Sequence, residues 1–230
     1  MKSILLTALG AAVLACAGPS FAQQDHSQHG TGPDAVDHSL HEDHARHGAG
    51  PAPAPGTVKV RLPDAQLLDQ NARQVKLASD VVGESIVVID FVYTTCTTVC
   101  PVMTSVFSQL RSKLGERLGR EVRLVSVTVD PVRDTPQRLK EYSDTVGAAP
   151  GWIWLTGSPS AVTAVLKAFG AYTADFTQHP AMAMVGDARS GTWLRFYGFP
   201  APDDILARVD ALLEERARAR STGGAAGEAR

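Results

Sequence analysis

Cys96 and Cys100 stand in the stretch Tyr93-Thr94-Thr95-Cys96-Thr97-Thr98-Val99-Cys100-Pro101, with three residues between them. A buried-strand pattern precedes the pair and a helical pattern follows, so both thiols fall at the head of a helix. The positive end of a helix lowers a thiol pKa and favours the thiolate, which is both the nucleophile of disulfide exchange and a soft metal ligand. Redox pairs in this setting usually have two intervening residues. The wider loop can still close a disulfide, and it also lets two sulfurs spread around a metal such as Cu(I) or zinc. A purely structural disulfide on a surface loop is the plainer reading, and the strand and helix on either side argue against it.

His179, in Phe176-Thr177-Gln178-His179-Pro180, is the one histidine within the expected folded region. A lone histidine is ordinarily structural. Here it sits just before an expected strand, in the loop that packs near the cysteine loop on the fold derived below. Cys96, Cys100 and His179 together make a three-coordinate soft site suited to Cu(I), and one able to hold Cu(II) with a further weak ligand. Met182 and Met184 also carry soft sulfur, but they alternate with Ala181, Ala183 and Val185 as in a strand, which predicts packing. Asp130 is either an outer partner of the copper loop or a strand-ending turn residue. Arg133 and Asp134 are expected to cap or brace the following helix, Tyr93 to shield the cysteine loop, and Trp152, Trp154 and Trp193 to pack.

The elements that must position these residues follow from periodicity. Residues 58–62 alternate like a strand, and 66–69 with 75–77 flank a turn at Gln70-Asn71-Ala72-Arg73, as in a hairpin. Residues 85–92 (SIVVIDFV) and 122–129 are continuous apolar runs suited to strands buried on both faces. Helices are predicted over 101–118, 135–146, 158–169 and 203–218; Thr135-Pro136 and Ser158-Pro159 supply an N-cap followed by proline at the first helical position. Short strands are predicted at 152–155, 183–187 and 194–197. Strands alternating with helices, then a hairpin and a closing helix, imply an α/β fold. Its plan is thioredoxin-like: a mixed central sheet flanked by helices, with an N-terminal β-hairpin and an inserted helix segment.

That domain is expected over 57–220, with a disordered tail at 221–230. Before it, Lys2, the apolar run from Ile4 to Ala15 and Ser20-Phe21-Ala22 form the pattern of a cleaved signal peptide over 1–22. Val13-Leu14-Ala15-Cys16 loosely matches a lipoprotein box, so Cys16 is an alternative lipid anchor; either route places the domain in the periplasm or another extracytoplasmic space, where disulfides are permitted. Residues 23–56 read as a disordered tract. His26, His29, His38, His41, His44 and His47 lie there among small and acidic residues, six of the chain's seven histidines. Clustered imidazoles can buffer metal, the alternative being a solvated linker. The chain is near neutral, with a formal charge of −2, and has no basic stripe with interleaved aromatics, so nucleic acid is not an expected partner.

Two motifs in order carry a family resemblance. Thr94-Thr95-Cys96-Thr97-Thr98-Val99-Cys100-Pro101-Val102-Met103 resembles the C-x-x-x-C-P signature of the Sco/SenC family. Val127-Thr128-Val129-Asp130-Pro131-Val132-Arg133-Asp134-Thr135-Pro136, followed by Leu139-Lys140-Glu141-Tyr142, is similar to that family's second motif. The resemblance covers residues 58–213. It implies a thioredoxin-fold copper chaperone that serves the dinuclear copper centre of cytochrome c oxidase, by delivering copper, by reducing the client's cysteines, or by both. It implies Cys96, Cys100 and His179 as ligands. Two places depart from the usual pattern: Pro180 follows the histidine where Ser or a similar residue is common, and Gly186-Asp187-Ala188-Arg189 replaces an Asp-Pro-x-Gly turn. A metallochaperone and a thiol–disulfide oxidoreductase are the two readings to separate, since His179 is dispensable only to the second. A thiol peroxidase would need an activated cysteine supported by Arg or Thr, which the residues around Cys96 do not announce.

Overall fold

The computed structural model describes residues 54–227; the signal peptide expected at 1–22, Cys16 and the histidines of the 23–56 tract lie outside them. Eight strands form one sheet: β1 (Gly56–Lys59), β2 (Gln66–Asp69), β3 (Gln74–Lys76), β4 (Ile86–Val92), β5 (Val122–Thr128), β6 (Trp152–Thr156), β7 (Met182–Asp187) and β8 (Thr192–Tyr197). Four helices complete the fold: α1 (Val99–Leu114), α2 (Pro136–Thr145), α3 (Pro159–Phe169) and α4 (Pro202–Gly227). The strand order is β1-β8-β7-β4-β5-β6-β2-β3. β4, β5 and β6 run parallel, while β7 pairs antiparallel with β4, β8 with β7, and β1 with β8.

β4 is the centre of the sheet, and every residue in it is buried. Its alternation splits the core. Ile86, Val88 and Val92 pack with residues of α1, α2 and α4, including Phe107, Leu110, Leu139, Ile205 and Val209. Val87, Ile89 and Phe91 pack on the other face with Val162, Val165 and Phe169 of α3. A continuous apolar run is therefore what a strand covered on both faces requires.

The caps behave as the sequence foretells. Thr135 accepts the backbone N–H of Arg138, Ser158 accepts that of Ala161, and a proline follows each. Trp152, Trp154 and Trp193 are buried, as are Met182 and Met184, so both methionines pack in the core.

Three differences have physical causes. α1 begins at Val99 rather than Pro101, which brings Cys100 inside its first turn. Residues Leu77–Val82 form one wide helical turn that buries Leu77, Val81 and Val82, where the sequence predicts only a strand ending at Leu77. α4 continues to Gly227, beyond the expected domain end at 220: the Ala- and Arg-rich run at 216–220 propagates the helix to that point, and Ser221 to Gly227, with three glycines, extend it despite poor helix propensity.

Candidate metal centre

The cysteine loop leaves the C-terminal end of β4 and turns at once into α1. A helix start leaves its first backbone N–H groups without partners. Thr98 precedes α1 but makes no side-chain cap. The sulfur of Cys96 does that work: it accepts the backbone N–H of Cys100 at 3.3 Å. Both cysteines are free thiols and both are buried, Cys96 7% exposed and Cys100 1%.

The two thiols are not equivalent. Burial pushes Cys96 up, but hydrogen bonds from the Cys100 thiol, from the backbone N–H groups of Cys100 and Thr98 and from the Tyr93 hydroxyl outweigh it, bringing Cys96 down to about 7. Burial, and then donation to the Cys96 sulfur, pushes Cys100 far up. Near neutral pH, Cys96 is the sulfur that ionises and Cys100 the one that keeps its proton.

His179 follows a single helical turn, Phe176–Gln178, whose start is capped by Asp175 accepting from the Thr177 backbone N–H at 2.9 Å. The imidazole is 9% exposed, and its Nδ1 is buried with no hydrogen-bond partner among the described residues. Burial lowers its pKa, with a smaller opposing effect from Pro180, so the ring is neutral at pH 7, the form that binds metal.

Tyr93 links the two loops. Its ring meets the His179 ring edge-on with centroids 5.8 Å apart, and the Phe176 ring at 5.2 Å. Hydrogen bonding to Cys96, followed by burial, raises the Tyr93 hydroxyl to about 12. The shielding expected of Tyr93 is thus a contact with both candidate ligand loops.

Among the described residues, no three His, Cys, Asp or Glu side chains are gathered closely enough to enclose a metal ion. The structure brings Cys96 and Cys100 together and holds His179 one aromatic ring away. The donor set nonetheless fits a soft cation: a thiol poised to ionise, a second thiol beside it, and a neutral imidazole with an unpartnered ring nitrogen. Charging Cys100 requires a compensating positive charge, which a bound metal supplies.

Asp134 does not brace α2 as expected. It is 1% exposed, and its carboxylate accepts from the Thr94 hydroxyl at 2.6 Å, the Thr94 backbone N–H at 3.2 Å and the Thr128 hydroxyl at 2.6 Å. Thr135 already caps the helix, so Asp134 is released for a partner across the fold. Asp130 ends the strand region in a turn, taking Arg133 at 2.9 Å. Thr94, Thr128 and Phe176 were missed as site residues. The one sequence signal for them was two acceptor residues in succession, Asp134 and Thr135, where a helix start needs only one.

A groove of about 970 Å³ lies at the opposite end of the parallel strands, lined by Asp69, Arg73, Arg123 and Trp152 among others, and it includes none of the three candidate ligands.

A model of the SCO1/SenC family matches residues 62–211. The chain is 32% identical over 109 residues to a putative copper-binding protein of Stutzerimonas stutzeri, covering 47% of this chain and 52% of that one. It is 33% identical over 125 residues to the protein SenC of Rhodobacter capsulatus, covering 51% and 55%. The chain thus spans about half the length of these curated relatives. Among solved structures, BsSco, a member of the Sco family of cytochrome c oxidase assembly proteins, superposes with a TM-score of 0.58 at 26% identity, over 68% of this chain and 95% of that one. ScoI of Bradyrhizobium japonicum, solved with copper bound, gives 0.54 at 27% identity, over 64% and 96%. These likenesses match the thioredoxin-like plan of the sheet and helices.

Proposed function

The chain belongs to the SCO1/SenC family, and from that premise we propose that it is an exported copper metallochaperone whose ligands are Cys96, Cys100 and His179. The observation that carries the reading is the pairing of two free thiols at the start of α1 with an imidazole one ring away whose Nδ1 has no hydrogen-bond partner among the described residues. Copper is the cargo. The Cys96 thiolate receives it, Cys100 gives up its proton to become the second sulfur ligand, and His179 closes the set through its free nitrogen after a small movement of its loop. Copper-bound ScoI and the copper-binding relative support this choice of metal. The client we favour is the copper subunit of cytochrome c oxidase, since BsSco is described as an assembly protein of that enzyme. Export rests on the leader pattern at 1–22. The six-histidine tract acts as a metal buffer ahead of the domain.

The test is copper stoichiometry after passage over a Cu(I) chelator resin. The reduced protein should retain one copper per chain, and Cys96→Ser and Cys100→Ser should retain none from the tight site. Retention of one copper per chain in either serine variant would contradict the assignment.

The difference between the two thiols favours a second activity at the same site. The Cys96 thiolate attacks a partner disulfide, forming a mixed disulfide and releasing one partner sulfur. Cys100 then displaces the other partner sulfur, which takes its proton. The partner gains two electrons and the Cys96–Cys100 disulfide forms. His179→Ala should leave this reduction intact while weakening copper binding. Fold alone does not choose between the two.

A further inference from the structure

The 130–134 turn touches both candidate ligand loops through adjacent residues. We propose that it is a two-armed clamp setting the spacing of those loops, with Asp134 and Arg133 as positioning residues; this rests on the copper reading above.

The turn is itself held firmly. The backbone N–H groups of Arg133 and Asp134 both donate to the Asp130 carbonyl, at 3.1 and 2.9 Å. The Asp130 backbone N–H donates to the Thr128 hydroxyl at 2.9 Å, and that hydroxyl donates onward to Asp134 at 2.6 Å. A rigid turn is a good base for two arms.

The first arm is Asp134. Its buried carboxylate takes both the hydroxyl and the backbone N–H of Thr94, two residues ahead of Cys96. This ties the entrance of the cysteine loop to the end of β5. The second arm is Arg133. Its guanidinium pairs with Asp130 at 2.9 Å and lies 5.6 Å from the centroid of the Phe176 ring. Phe176 opens the turn that leads to His179, and its ring packs on Tyr93, which packs on His179. Neither arm is needed to start α2, because Thr135 already caps it.

The cysteine loop leaves β4 and the His179 loop enters its hydrogen-bonded neighbour β7, but the ladder between these strands reaches only Asp90 and Ala183, short of both loops, so it does not fix the loops' spacing beyond that pair. The clamp supplies that constraint. Holding the loops in place before copper arrives removes part of the ordering cost of binding. Losing an arm therefore weakens binding without removing a ligand.

The experiment measures three quantities on the purified reduced protein: Cu(I) affinity by competition with a chromogenic chelator, the alkylation rate of Cys96 without copper, and the melting temperature. Arg133→Ala, Arg133→Lys and Asp134→Asn are compared with wild type and with Arg120→Ala, a surface control far from the site. Arg133→Ala should weaken Cu(I) binding about tenfold or more, as loss of an outer support does elsewhere, with unchanged Cys96 alkylation. Arg133→Lys keeps a charge for Asp130 but lacks a flat face for Phe176, so it should stay weakened. Asp134→Asn should weaken Cu(I) binding and also slow Cys96 alkylation by about threefold or more, because the sulfur is no longer held against the helix start. Thr94→Val removes the same hydroxyl contact and replaces Asp134→Asn should the latter fail to fold.

Cu(I) affinity within about twofold of wild type in Arg133→Ala, or full recovery in Arg133→Lys, overturns the second arm. Unchanged alkylation in both Asp134→Asn and Thr94→Val overturns the first. A wild type that binds no Cu(I) would sink the copper reading separately, because the alkylation readout tests the first arm without metal.

Discussion

The sulfur of Cys96 accepts the backbone N–H of Cys100 from 3.3 Å, so the first cysteine caps the helix in which the second one lies. This contact makes the pair asymmetric. Negative charge on Cys96 is welcome at the positive end of α1. The Cys100 thiol, more deeply buried and donating to its neighbour, holds its proton.

That asymmetry predicts the reactivity of the metal-free protein. Burial opposes ionisation of Cys96, but the hydrogen bonds to its sulfur prevail and place it at about 7. Its alkylation rate should rise with pH through a midpoint near that value and level off above it, because the thiolate is the reacting form. In Cys96→Ser the remaining thiol should stay slow throughout that range. The check is iodoacetamide modification followed by mass spectrometry between pH 5 and 9. A midpoint at the ordinary thiol value would refute the capping argument.

A second prediction concerns stability. Asp90 lies in the middle of β4, fully buried, and neither carboxylate oxygen has a hydrogen-bond partner among the described residues. Burial, offset only in part by the nearby Ser126 hydroxyl, raises it from 3.8 to about 7. Between those values the folded protein keeps a proton that the unfolded chain has lost. Stability from this group is therefore complete below pH 4, falls as pH rises to about 7, and is flat above. At roughly 1.4 kcal/mol per pK unit, the loss over the whole range is on the order of 4–5 kcal/mol. Asp90→Asn should abolish that slope and be the more stable protein at pH 8. Urea midpoints at pH 5 and 8 decide it, and identical slopes in the two proteins would contradict the assignment.

Much of this architecture was legible in local sequence, because local physics decides it. The β-branched run of β4 allows no other burial, and Thr135-Pro136 and Ser158-Pro159 fix helix starts within three residues. Contacts made across the fold were not legible. Nothing near Asp134 says that its partner is Thr94, forty positions earlier. The hairpin of β2 and β3 was readable, but its docking beside β6 depends on Leu68 and Asp69 pairing with Thr156 and Leu155. The start of α1 was misplaced because proline is the usual marker of a first turn, whereas here a sulfur supplies the cap. The two cysteines announced themselves by spacing. His179 was found by elimination and by the expected loop position, and the ring of Tyr93 between the loops was visible only in three dimensions.

Close packing gives a third prediction. Gly186 in β7 pairs directly with Trp193 in β8, and a Cβ on Gly186 would lie 2.2 Å from the indole ring. Trp193 cannot retreat easily, since it is buried with Phe169 edge-on at 5.1 Å. Gly186→Ala should cost about 1–3 kcal/mol or more, the usual range for overpacking. Urea denaturation measures it, and a cost below about 0.5 kcal/mol, the scale of an ordinary surface change, would show that the sheet yields there.

The central claim is that His179 completes a copper site begun by the two cysteines. Its most direct test is Cu(I) affinity, by chelator competition at pH 7, of the reduced wild-type protein and of His179→Ala. We predict tight one-to-one binding by the wild type and a loss of about tenfold or more in the variant, as removal of one of three ligands demands. Equal affinity in the two proteins would contradict the claim and leave the cysteines to thiol–disulfide exchange.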